Sequence, residues 1–311
     1  MQASADSPKC AFAFPGAGSP FSGEEAGFFA AHDAAMRPLL EQASDAVGID
    51  LVSAVPPGEP PTMAELGWQL FDYAFGCAVA AAYRQGGIEP ALTAGHSLGL
   101  YAALYAAGAI DFGTGLDITQ AAYCAAERHC PVGHYDLGVV LGFTRAELDA
   151  LLVEAGLASL RRVNANSPTS LIVAGEVGEL EELMALATAR GALKARRLMA
   201  GLPYHHPELL AGASADLERS LRAMRWHEPR CPVVSSLDQS LVASSEGLIA
   251  LTARNLANPI DWQRVVETIA GAGIALALEC GVGNILSQNA RLCDPSPRFL
   301  DLKQGPRRLG I

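Results

Sequence analysis

The most constraining stretch of this chain is Gly95-His96-Ser97-Leu98-Gly99, set between the apolar run Ala91-Leu92-Thr93-Ala94 and a helix-forming run, residues 100–107, that Gly108 closes. Gly-x-Ser-x-Gly in that setting predicts a strand, a sharp turn and a helix. The small flanking residues let a strained backbone project the Ser97 hydroxyl from the top of a sheet. The next amide, that of Leu98, lies at a helix N-terminus, where an N–H can stabilise an oxyanion. Ser97 is thus a candidate nucleophile on an α/β sheet, the alternative being an ordinary helix N-cap serine.

Other segments agree with an α/β chain. Residues 10–14 (CAFAF) predict a buried strand entering the tight loop Pro15-Gly16-Ala17-Gly18-Ser19-Pro20, and such a loop exposes N–H groups. Residues 65–84, apolar on most sides, predict a buried helix stopped by Gly86-Gly87. From 135 to 200 the rhythm changes: β-rich pieces at 137–143, 160–164, 171–174 and 193–199 are separated by helices starting at Thr144 and near Val177. Thr144 and Glu147 have capping-box spacing. Strand, helix, strand, strand, helix, strand (βαββαβ) is the order of a ferredoxin-like unit. Downstream, helices over 207–225, 246–255 and 262–271 and strands over 232–235 and 274–279 resume the larger α/β unit. The expected division is a large domain over 1–132 and 201–311 and an inserted small subdomain over 133–200, with a proline-rich surface loop at 56–61.

With 311 residues, 50% of them apolar and 18% charged, the chain can bury a core without staples. A formal net charge of -11 argues against broad affinity for nucleic acid phosphates or an anionic membrane. The seven cysteines are scattered, with no Cys-x-x-Cys and no histidine at ligand spacing, so they read as buried thiols and no metal site is expected. Residues 1–9 are polar, with only five apolar-leaning residues after them, and no apolar run reaches membrane-span length. Those features predict no signal peptide, no membrane span and a cytoplasmic protein.

A serine nucleophile needs a base. His205 and His206 follow the loop Gly201-Leu202-Pro203-Tyr204, where the chain re-enters the large unit, and either can serve. His96 is too close to Ser97 along the chain to approach its hydroxyl from the side, so it reads as a structural hydrogen-bonder.

Six motifs then occur in a familiar order: Phe14-Pro15-Gly16-Ala17-Gly18-Ser19, Ala94 to Tyr101 around the elbow, Asn164-Ala165-Asn166-Ser167-Pro168, Pro203-Tyr204-His205, Asn258-Pro259-Ile260-Asp261-Trp262 and Gly281-Val282-Gly283-Asn284. Over about residues 10–295 the chain resembles the malonyl-CoA:acyl-carrier-protein transacylase family, which includes the acyltransferase domains of polyketide synthases. The resemblance implies an α/β-hydrolase-like large domain with the ferredoxin-like insert, and a serine–histidine acyltransferase. Such an enzyme binds no cofactor and works on phosphopantetheine thioesters, of an acyl carrier protein or of CoA. It further implies Ser97 as the acylated nucleophile, His205 as its base in the Pro-x-His position, and His206 as a bystander. The Leu98 and Ala17 N–H groups would form the oxyanion hole. The Asp261 carbonyl would orient His205, with its carboxylate as an alternative third member of the triad.

Three departures bear on chemistry. Ala17 stands where the family usually has Gln, a small loss because the backbone N–H does the work. Leu100 stands where Glu is common. Counting from Ser97, Ala122 occupies the position of the arginine that reads the malonyl carboxylate. Arg128, six residues on, is rotated by about 240° and is a poor substitute. Ile118, Thr119, Ala125 and Ala126, which share the Ala122 face, are small or apolar. An acyl pocket of Ala122, Leu100, Ile118 and Asn166 therefore leads us to expect an uncarboxylated acyl group. The alternatives are hydrolysis of acyl-carrier-protein thioesters at the same site, malonyl transfer, and a docking module without catalysis. Arg161, Arg162, Arg190, Lys194, Arg196 and Arg197 gather in the small subdomain as a candidate docking patch for an acidic carrier protein, or else as ion pairs with Glu179, Glu181 and Glu182.

Overall fold

A computed structural model describes residues 9–56 and 63–311; residues 1–8 and 57–62, where the polar N-terminal stretch and most of the proline-rich loop fall, lie outside it. The chain begins with β1 (Cys10–Phe14), α1 (Glu25–Ala31), α2 (Asp33–Val47), α3 (Glu65–Gln85), β2 (Pro90–Gly95), α4 (Gly99–Ala107) and α5 (Phe112–His129). Next come β3 (Tyr135–Leu141), α6 (Arg145–Glu154), β4 (Arg161–Ser167), β5 (Ser170–Glu176), α7 (Val177–Ala189) and β6 (Lys194–Arg197). It then runs through α8 (Ala211–Arg222), β7 (Val233–Val234), β8 (Leu241–Val242), α9 (Ser245–Asn255), β9 (Ile260–Asp261) and α10 (Trp262–Gly271). It closes with β10 (Leu276–Glu279), α11 (Ile285–Ala290), β11 (Arg298–Leu300) and α12 (Gln304–Leu309).

The larger sheet has the order β11-β10-β1-β2-β7-β8, parallel except for the β7–β8 pair. Its central strand β1 is buried along its whole length, as a parallel strand covered on both faces must be. Side chains alternate across it. Phe12 and Phe14 join the core formed with α3, α4 and α5, whereas Ala11 and Ala13 face Trp262, Val265 and Ile269 of α10. Burial of each large apolar side chain contributes about 1.5–3 kcal/mol, so the sheet is anchored from both sides where its strands end at the site.

The smaller sheet has the order β6-β3-β5-β4-β9. Its first four strands pair antiparallel in the arrangement of a ferredoxin-like unit, with α6 and α7 in the expected places. Thr144 and Glu147 form the capping box in full. The fold is thus α/β, an α/β-hydrolase-like sheet carrying a βαββαβ insert. We take 133–200 as that insert, although its sheet is completed from elsewhere. Ile260 and Asp261 pair parallel with Asn164 and Ala165 of β4. A two-residue strand has no periodicity by which the sequence can reveal it.

Candidate active site

Ser97 sits between β2 and α4 with φ +53, a conformation that costs a non-glycine residue about 1–2 kcal/mol. Its neighbours hold it there. His96 N–H donates to the Phe14 carbonyl at 2.9 Å, Leu100 N–H donates to the Ser97 carbonyl at 3.0 Å, and Asn255 Nδ2 donates to the same carbonyl at 3.2 Å. The serine is therefore an elbow residue, not an N-cap: the helix it precedes has Leu98 at its cap and no side-chain capping bond.

His205 meets it. Ser97 Oγ and His205 Nε2 are 2.7 Å apart, and His205 Nδ1 lies 3.2 Å from the Asn258 carbonyl. A carbonyl can only accept, so Nδ1 carries the ring proton and Nε2 is left to accept from the Ser97 hydroxyl. The expectation that Asp261 orients the histidine is corrected: the partner is the Asn258 carbonyl, three residues earlier in the same motif. The Asp261 carboxylate is held in a fork by Arg145, at 2.6 and 2.9 Å, and caps α10 by accepting from Arg264 N–H at 3.1 Å. Its backbone is committed to β9, so neither its carbonyl nor its carboxylate serves the histidine. His206 turns away, toward the Ser159 carbonyl at 3.0 Å and Glu208 at 3.2 Å. His96 is the structural hydrogen-bonder expected, with Nε2 2.6 Å from Asn164 Nδ2 and 2.8 Å from Asn166 Oδ1.

Burial, reinforced by repulsion from His96, pushes the His205 pKa down to about 4 from an ordinary 6.5. A general base must be neutral, so acylation of Ser97 should stay level from pH 8 to about 5 and fall through pH 4, as stopped-flow release of p-nitrophenol from p-nitrophenyl acetate, followed at a wavelength where the phenol and its anion absorb alike, would show. A limb centred near 6.5 would mean that the base is a different, solvated group. Between pH 6.5 and 4 the unfolded chain binds a proton that folded His205 refuses. Stability is accordingly full above 6.5 and declines as acid enters that window.

Ala17 and Leu98 both border the pocket in front of Ser97, and among the described residues neither N–H has a protein acceptor. Ala122 borders the same pocket, together with Gln69, Tyr101, Tyr123 and Tyr204. Among the described residues no lysine or arginine lines it. Three of the expected pocket residues are displaced. Leu100 and Ile118 are 2% and 0% exposed in the core. On α4 the pocket face is the Leu98–Tyr101 pair, which leaves Leu100 off it, and Ile118 lies about 6 Å, one turn, before Ala122 on its helix. Asn166 is engaged by His96. Gln69 escaped the sequence analysis, although a glutamine in an apolar helix was a signal for it. Its Nε2 donates to Tyr204 Oη at 2.8 Å and to Glu65 at 3.1 Å.

The docking patch is mostly neutralised. Arg190 is forked by Glu154, Arg162 by Asp149, Arg161 pairs with Glu208, and Arg197 bridges the buried Asp136 and Glu181. Of the three partners expected, only Glu181 takes part. Among the described residues Lys194 and Arg196 are the two of the six without a carboxylate. Both stand on the exposed positions of the edge strand β6.

No metal-binding cluster and no helix long and apolar enough to cross a membrane occur among the described residues. No family model matches the chain. The malonyl CoA-acyl carrier protein transacylase of Escherichia coli K12 is 32% identical over 286 residues, covering 89% of this chain and 90% of the relative. Among solved structures, an acyl-carrier-protein S-malonyltransferase from Burkholderia pseudomallei 1710b superposes with a TM-score of 0.87 at 30% identity, covering 97% of this chain and all of its own. A malonyl-transacylase in complex with a type II polyketide synthase acyl-carrier protein superposes with a TM-score of 0.85 at 27% identity, covering 94% and 95%. With 32% identity to such an enzyme over 89% of its length and a fold that superposes on others along nearly their whole length, the chain belongs to the malonyl-CoA:acyl-carrier-protein transacylase family of serine acyltransferases.

Proposed function

We propose that this chain moves an acyl group between phosphopantetheine thioesters, of CoA or an acyl carrier protein, through an ester on Ser97. The contact between Ser97 Oγ and a neutral His205, oriented by the Asn258 carbonyl, carries the proposal. As Oγ attacks the thioester carbonyl, His205 Nε2 takes its proton, and the Leu98 and Ala17 N–H groups meet the tetrahedral oxyanion. The imidazolium returns the proton to the departing thiolate, leaving the acyl-serine. His205 then deprotonates an incoming thiol, which attacks the ester and restores Ser97.

The carrier protein is the partner this chemistry requires, and the complex known for a structural neighbour supports it. An acidic carrier meets a chain of net charge -11, so local cations must guide the encounter; within the small-subdomain cluster Lys194 and Arg196 are the two without a carboxylate among the described residues.

For the acyl group, the names of the relatives favour malonyl over the uncarboxylated group expected from sequence. The pocket chemistry favours the uncarboxylated one. Ala122 offers no charge, and Gln69, which lines the pocket, is bonded to a carboxylate, that of Glu65. A desolvated malonyl carboxylate would stand unpaired there at a cost of several kcal/mol. Intact-protein mass spectrometry after brief exposure to acetyl-CoA or malonyl-CoA separates the two. On the pocket chemistry malonyl loads at least about 100-fold more slowly than acetyl, and Ala122→Arg reverses the order. Malonyl loading at the acetyl rate or faster would establish the malonyl reading.

A further inference from the structure

Asp72 lies about two turns into α3, in a stretch where Leu70, Phe71, Tyr73 and Phe75 are buried. It pairs with no cation among the described residues. Its carboxylate has one partner, the Gly18 N–H at 2.9 Å. Asp72 itself is half-buried, and the apolar surroundings push its pKa up to about 7, so a carboxyl is an unfavourable choice at this point of an apolar helix. Packing of α3 gives no reason for it.

The loop it touches gives one. Gly18 follows Ala17, has φ +72, and a Cβ placed on it would meet nothing within 4 Å. Ala17 and Gly18 are both exposed, so no packing clamps this turn and its peptide planes are set by hydrogen bonds. Ser19 Oγ donates to the Gly16 carbonyl at 3.2 Å, fixing the peptide that carries the Ala17 N–H, and Asp72 fixes the next one. Asp72 also shares a small cavity with Pro15, Leu98 and Gly99, which places it behind both amides that face the site.

We propose that Asp72 is a positioning residue for acyl transfer: by holding the Gly18 N–H it aims the Ala17 amide at the oxygen of the acyl carbonyl. The assignment rests on the acyl-serine chemistry proposed above. It acts through the loop and touches no substrate.

The test is the burst of p-nitrophenolate that p-nitrophenyl acetate releases as it acylates Ser97. Asp72→Ala and Asp72→Leu remove the acceptor. They should slow the burst about tenfold or more, as a misaimed oxyanion donor does, while ester affinity is unchanged and the melting temperature is unchanged or higher. Asp72→Asn has the shape of the leucine but keeps a carbonyl acceptor, so it should stay within about threefold of wild type. Equal rates for the Leu and Asn variants, or an Ala variant within about twofold of wild type, would overturn the assignment and leave acyl-serine chemistry standing. A wild-type protein with no burst would overturn that chemistry, and the role of Asp72 with it.

Discussion

Ser97→Ala should abolish the acyl-enzyme, and His205→Ala should slow its formation by about three to six orders of magnitude, the range in which serine enzymes lose rate when nucleophile or base is removed. The two side chains form one device. Oγ has the imidazole at 2.7 Å as its proton acceptor, and burial keeps that ring neutral. His206→Ala is the informative comparison. It loses bonds to the Ser159 carbonyl and Glu208, a matter of anchoring the insert, and should leave the rate of acyl loading far less affected. Intact mass after incubation with an acyl thioester reads all three variants. Severe loss with His206→Ala and mild loss with His205→Ala would move the base to the other histidine.

The second large effect should come from a methyl group. A Cβ on Gly99 would lie 2.3 Å from the Phe14 carbonyl oxygen and 2.5 Å from that of Pro15. Both obstacles are backbone, so no rotamer change relieves them. Gly99→Ala must push α4 away from the 14–15 loop, spreading apart the two amides that face the acyl oxygen. We expect a loss of about 3 kcal/mol or more in chemical denaturation and at least about a hundredfold in acylation rate. Gly27→Ala in α1, where a Cβ meets nothing within 4 Å, should be neutral or add up to about 1 kcal/mol. A Gly99→Ala protein as stable and active as wild type would mean that the elbow is not packed against that loop.

What could be read from sequence was local. The elbow, the buried helix α3 and the Thr144 capping box each declare themselves within a few residues, because glycine sterics, apolar periodicity and cap chemistry act at that range. The histidine was legible down to two neighbours, and the family resemblance chose between them. What escaped depends on which distant groups meet. Gln69 and Tyr204 bond across 135 positions, and Arg145 reaches Asp261 across 116. The arginines of the small subdomain were visible as a cluster. Their ion pairing was foreseen as an alternative, with Glu181 among the partners, but the other partners were not, because Glu154, Asp149 and Asp136 come from other elements brought alongside by the sheet. The orienting carbonyl was missed by three residues within the right motif. Only the pairing of β9 with β4 decides which way that segment faces.

That pairing also sets where this protein can be cut and joined. The insert shares backbone hydrogen bonds with residues 260–261, and the Arg145 fork fastens it to the start of α10. A chimera that exchanged residues 133–200 alone would set a foreign outer strand against this β9 and present Asp261 with whatever residue replaced Arg145. A poorly matched strand edge invites pairing between chains, so such hybrids should aggregate. Carrying residues 260–263 along with the insert keeps strand and fork together, and makes a two-piece module the natural unit of exchange.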